Sequence, residues 1–179
     1  MMKNLELKVS LFGKHPSSSE YLYIGNNSEF MNSVSKWIES GYESVLNVKM
    51  GAKSDKIHHF VFLNKSSDSF ITGSIKLNKD FHGREFPLVI AVEVLPYASF
   101  ANVEEVVKFS KTINKKVMEI FTNDYTLEEL KSQLLVLSEN SVVVEGKNNI
   151  FAIFMDEEFS EAKLFLRPVK VDDFITMMR

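Results

Sequence analysis

Phe86-Pro87-Leu88-Val89-Ile90-Ala91-Val92-Glu93-Val94-Leu95 is almost continuously apolar, with Glu93 its one charge. A run without alternation suits a strand buried on both faces, so helices are expected to cover both sides of the sheet around it. Residues 57–63 and 70–77 are further apolar runs, separated by a turn-forming stretch at 64–69, and a polar connection at 78–85 leads into the run that opens this reading. Near the start, Leu5, Leu7, Val9 and Leu11 alternate with Glu6, Lys8 and Ser10, the period of a half-buried strand. Residues 21–24 form a short apolar run fit for the sheet edge.

Elsewhere the period changes. Phe30, Val34, Trp37, Gly41 and Val45 fall on one stripe, with Ile38 and Tyr42 beside it, which predicts an amphipathic helix over 28–46. Trp37 on that stripe is expected in the core. A second helix is predicted over 103–121, on a stripe through Val103, Val106, Ser110, Ile113, Val117 and Ile120. Thr126 and Glu129 have the spacing of a capping box ahead of a third, shorter helix reaching about 136. Residues 142–144 and 150–154 around a turn at 146–149 read as a β-hairpin. A last strand is expected at 163–166, stopped by Pro168, and a terminal helical turn at 172–178. Adjacent strands joined by turns, with few βαβ crossovers, define an α+β, sandwich-like class: a mostly antiparallel or mixed sheet with helices packed on it, in a single domain over 1–179.

Composition sets the outer limits. The 179 residues suffice for one domain with a substantial core, and 45% hydrophobic with 25% charged residues is an ordinary globular balance. A net charge of −3 argues against nucleic-acid binding through a basic face. There are no cysteines, so disulfides, thiolate nucleophiles and thiolate metal sites are excluded. The alternating start does not resemble a signal peptide, and no apolar stretch approaches the ~20 residues of a membrane span. A cytoplasmic protein without membrane insertion is the expectation.

Signatures of chemistry are lacking. His58 and His59 are neighbours on a predicted strand and point to opposite faces, so they cannot share a metal. His15 and His82 lie in two loops that could meet, but they lack carboxylate partners at ligand spacing and read as surface histidines. Gly13-Lys14 lacks the glycine and hydroxyl residue that a phosphate loop requires, since Lys8 and His15 stand there. No nucleophile elbow or dinucleotide fingerprint occurs, and the acidic residues are scattered. Neither an enzymatic centre nor a cofactor is expected. The 15 phenylalanines read first as core.

Two loops are dense in backbone-shaping residues: Phe12-Gly13-Lys14-His15-Pro16-Ser17-Ser18-Ser19-Glu20-Tyr21, and Gly73-Ser74 followed by Lys79-Asp80-Phe81-His82-Gly83-Arg84-Glu85-Phe86-Pro87-Leu88. These segments resemble the TagF (ImpM) family associated with type VI secretion. Phe12, Gly13, Lys14, Pro16 and Ser17 match its first motif; Gly73, Asp80, Gly83, Arg84, Phe86, Pro87 and Leu88 match its second; Trp37 and Gly41 resemble its Trp-x-x-x-Gly pattern. Ser19-Glu20-Tyr21 departs from the family's Gly-Asp-Phe, and Asn78 stands where a serine is usual.

The resemblance implies a post-translational repressor of type VI secretion that acts by binding a forkhead-associated scaffold protein. Gly13, Lys14, Pro16, Ser17, Glu20, Asp80, Gly83 and Arg84 are the candidate partner-binding or motif-loop residues. The two loops are expected side by side, with Arg84 held by a carboxylate, Glu20 first and Asp80 second. Lys14, with no local partner in sequence, is expected as an exposed charge whose reversal leaves the fold intact. Two other readings stay open: a small-ligand sensor with a pocket between sheet and helix, and an enzyme centred on Arg84.

Overall fold

The computed structural model of the chain describes residues 5–47, 56–64, 66–123, 125–138, 152–156, 158–159, 162–165, 170, 173–174 and 177. In chain order these give β1 (Glu6–Gly13), β2 (Leu22–Gly25), α1 (Glu29–Asn47), β3 (Ile57–Asn64), β4 (Ser69–Lys79), β5 (Glu85–Leu95), a 3-10 turn at Tyr97–Ser99, α2 (Val103–Thr122), α3 (Leu127–Ser138), β6 (Ala152–Met155) and β7 (Ala162–Phe165). The strands form one sheet in the order β2-β1-β5-β4-β3-β6-β7. All six pairings are antiparallel.

The apolar run is β5, hydrogen-bonded to β1 on one side and β4 on the other. Its two faces serve two cores. Leu88, Ile90, Val92 and Val94 pack with Phe109, Ile113 and Val117 of α2 and Leu130 and Leu134 of α3. Val89 and Ala91 pack with Met31, Val34 and Ile38 of α1. A strand apolar on both sides therefore sits inside a three-layer sandwich, because only two helical layers can take both faces from water.

Glu93, the interruption in that run, is 4% exposed. Its carboxylate accepts from Asn26 Nδ2 at 2.6 Å, Ser28 Oγ at 2.7 Å and Ser69 Oγ at 3.1 Å. Ser28 also caps α1, accepting from Met31 N–H at 3.1 Å. One buried charge thus ties the start of α1 and the start of β4 to the sheet centre, with donors of its own to offset its desolvation.

The capping box ahead of α3 is formed: Glu129 N–H donates to Thr126 Oγ1 at 3.3 Å and Thr126 N–H to Glu129 Oε2 at 2.8 Å. The hairpin expected over 142–154 is described only in part. Its first arm, 142–144, and the turn at 146–149 lie outside the described residues. Its second arm contains β6, which pairs with β3 and with β7. Of the terminal turn, Asp173, Phe174 and Met177 are helical.

Trp37 is less deeply placed than expected. It is half-buried at the margin of the α1 core, stacked on Phe154 at 5.6 Å and edge-on to Phe62 and Phe174. Its indole N–H donates to the Lys170 carbonyl at 2.7 Å, which explains the marginal position: a donor needs a polar partner. Gly41 completes the arrangement, since a Cβ there would run into the Phe174 ring.

Candidate functional site

β1 and β5 are neighbours with Gly13 opposite Leu88, so the loop leaving β1 and the loop entering β5 emerge together. Gly13 has φ +115°, and a side chain on it would collide with the Pro87 carbonyl oxygen. Its glycine is therefore a condition for close approach of the two loops. Lys14 N–H donates to that carbonyl at 3.3 Å, and Phe81 N–H reaches the Ser18 carbonyl at 3.4 Å.

Asp80 organises the junction. Its side chain is fully buried. Oδ1 accepts from the backbone N–H groups of His82 at 2.9 Å and Arg84 at 3.0 Å. Oδ2 accepts from Arg84 Nε at 2.8 Å and lies 2.7 Å from Arg84 Nη2. Lys14 Nζ is 3.3 Å from the same oxygen. Burial alone would raise the Asp80 carboxyl, but the hydrogen bonds from Arg84, Lys14 and His82 prevail and hold it well below the usual carboxylate range. Gly83 N–H closes the turn on the Asp80 carbonyl at 2.9 Å.

The loops are side by side, as the sequence leads one to expect, but Arg84 chooses Asp80 and not Glu20. The reason is local: a carboxylate four residues back in the same tight turn is already aligned, whereas Glu20 is exposed and makes no ion pair among the described residues. Arg84 reaches the first loop through the Ser19 carbonyl, at 3.4 Å.

Lys14 is corrected as well. Its side chain is 13% exposed, paired with Asp80, and lies over the Phe86 ring at 5.0 Å. It is an internal cation of the loop junction, so Lys14→Glu would set two carboxylates against each other and disturb the loops.

Pro16 and Ser17 sit in a tight turn closed by Ser18 N–H on the His15 carbonyl at 2.9 Å. Pro16 takes the second position, where a fixed φ is favourable. His15, read as a surface histidine, is 8% exposed. Ser17 N–H donates to its Nδ1 at 3.2 Å, so Nδ1 is the acceptor, and Nε2 carries the proton toward the Tyr125 carbonyl at 3.2 Å. That bond ties the first loop to the link between α2 and α3. His82, by contrast, is exposed.

The residue missed by sequence reasoning is Phe81. It is 73% exposed at the tip of the Asp80-centred turn. Its signal was an aromatic in a polar loop, outside any apolar period. Beside it the Arg84 side chain is 59% exposed while its Nε and Nη2 are held by Asp80. Among the described residues no three His, Asp or Glu side chains group to hold a metal ion, and no helix is long and apolar enough to cross a membrane.

A three-layer sandwich with two abutting motif loops is the class these features define. The profile described as "TagF N-terminal domain, Type VI secretion system-associated" matches residues 10–137, and the chain belongs to that family. The fold is similar to that of PA0076 from Pseudomonas aeruginosa PAO1, a crystal structure, with a TM-score of 0.74 at 12% sequence identity, covering 95% of this chain and 93% of that one. No curated protein matches by sequence.

Proposed function

We propose that this chain is a cytoplasmic, post-translational repressor of type VI secretion that acts by binding a protein, a forkhead-associated scaffold of the apparatus, and not by catalysis. Family membership supports the link to type VI secretion. The observation that carries the binding role is the turn bearing Phe81. Phe81, 73% exposed, is the most exposed large hydrophobic side chain among the described residues, and it stands on a turn fixed by the buried Asp80. Aromatic and Arg side chains are the commonest anchors of protein interfaces. A turn already held in one shape also loses little freedom on binding.

The reading is tested in the native host. Overproduction is expected to silence secretion without changing the amounts of the structural components, and deletion to raise it where the system is otherwise restrained. Overproduced Phe81→Ala, which leaves the Asp80 network in place, should silence less. Unchanged secretion on overproduction of folded protein refutes the repressor role.

A further inference from the structure

On the α2 face, where the first motif loop leaves the sheet, lies a cleft of about 410 Å³. Small-molecule sites measure roughly 300–1,000 Å³. Its floor is apolar, made by Leu88, Ile120, Phe121 and Leu130. Its rim is polar and comes from three parts of the chain: Ser17 of the motif loop, Lys76 and Asn78 of β4, and Asn123 and Thr126 of the link between α2 and α3.

Lys76 is the charged side chain among the described residues lining this cleft. It is half-buried and forms no ion pair among the described residues. Its hydrogen bond is a long one, 3.4 Å to the Phe121 carbonyl at the end of α2. A helix C-terminus supplies about half a negative charge, so the ammonium is only partly compensated. Other polar groups are already engaged. His15 spends both ring nitrogens on Ser17 and Tyr125, and Thr126 and Glu129 cap the first turn of α3. Asn123 Nδ2 likewise donates to the Glu119 carbonyl at 2.6 Å, so the cleft presents one cation, with Asn78 also in its lining, above a hydrocarbon floor.

We infer that this cleft binds a small amphipathic anion, a carboxylate-type head on a short apolar body, with Lys76 receiving the head. The apolar body gains by leaving water for the floor, and the head supplies the charge that Lys76 lacks. The site is distinct from the Phe81 face, although they share a wall: His15 and Ser17 border the cleft, and the next residue, Ser18, accepts from Phe81 N–H. The inference does not depend on the repressor reading, and its test needs no secretion assay.

The test is an amide-resolved NMR titration of the full chain with three probes: sodium octanoate, 1-octanol and sodium acetate. Octanoate is expected to give saturable shifts at Lys76, Asn123 and Tyr125, with octanol weaker and acetate weaker still. Lys76→Met should weaken octanoate about tenfold, the scale of one charge-assisted contact, and leave octanol unchanged. Lys76→Arg should retain binding. If Lys76→Met does not fold, the preference of the unmodified chain for octanoate over octanol still decides. Equal binding of octanoate and octanol, shifts confined to other surfaces, no saturable octanoate shift, or indifference to Lys76→Met would each overturn the inference.

Discussion

Glu93 offers the sharpest test of how the sandwich is held. Replacing it with Leu extends the apolar run of β5 and, by hydrophobicity alone, should stabilise the protein. The structure predicts the opposite. The carboxylate accepts three hydrogen bonds, from Asn26, Ser28 and Ser69. A hydrogen bond to a charged group contributes about 1.5–3 kcal/mol net. The total falls short of three such terms, because Asn26 and Ser28 are half-buried and can turn to water, and Ser69 retains Ser67 Oγ at 2.7 Å. A loss of about 3–4 kcal/mol remains for Glu93→Leu, and about 1–2 kcal/mol for Glu93→Gln, whose amide still accepts on one side. At about 2–4 °C per kcal/mol for a chain of this size, the Leu variant should melt about 6–16 °C lower. Urea titration followed by circular dichroism, with Trp37 fluorescence as a second probe, measures both variants. A Leu variant as stable as the parent would show that the buried carboxylate contributes nothing net, and the account of how α1 is anchored would fail.

Three further outcomes follow from the loop junction and the α1 core. Asp80 has its folded pKa lowered, so its contribution to stability is complete above the ordinary carboxylate range and is lost as pH falls below about 5. Asp80→Asn should therefore be less stable at neutral pH and show a flatter acid limb, the two curves converging in acid; parallel curves in a pH series of thermal melts would contradict this. Gly13→Ala must displace Pro87 and should cost more than the ~1 kcal/mol of an ordinary Gly-to-Ala strain, read from the urea midpoint. Trp37→Phe keeps most ring contacts and loses the bond to Lys170, a cost of about 1 kcal/mol, while Trp37→Ala should cost about 2–4 kcal/mol, short of a fully enclosed site; equal losses would show that the indole N–H and not the ring carries the stability.

Most of the fold was legible because period and burial coincide. Unbroken apolarity at 86–95 implied two covered faces, and the 3.6-residue stripes at 28–46 and 103–121 implied the helices that cover them. The antiparallel pairing of β3 with β4 and of β4 with β5 fits the short polar connections read between them, while the sequence left the sheet as antiparallel or mixed. The pairing of β6 with β3 was not legible, since a long-range ladder leaves no mark on local spacing. At the site, glycine and proline placed the loops correctly, because their backbone demands are written in residue type. The choice of Asp80 over Glu20 was not, since it depends on the shape of a turn within which both carboxylate oxygens are used. Lys14 passed for a free charge and His15 for a surface one because their partners, Asp80 and Tyr125, lie 66 and 110 residues away.

We propose that this chain represses secretion by docking a protein on its motif-loop face. Isothermal titration of the purified chain with the forkhead-associated scaffold of its own host tests that claim directly. The account predicts saturable binding that Phe81→Ala weakens about thirtyfold, the effect of losing one interface anchor, with thermal stability unchanged. No binding by the folded protein, or Phe81→Ala binding as tightly as the parent, would contradict it.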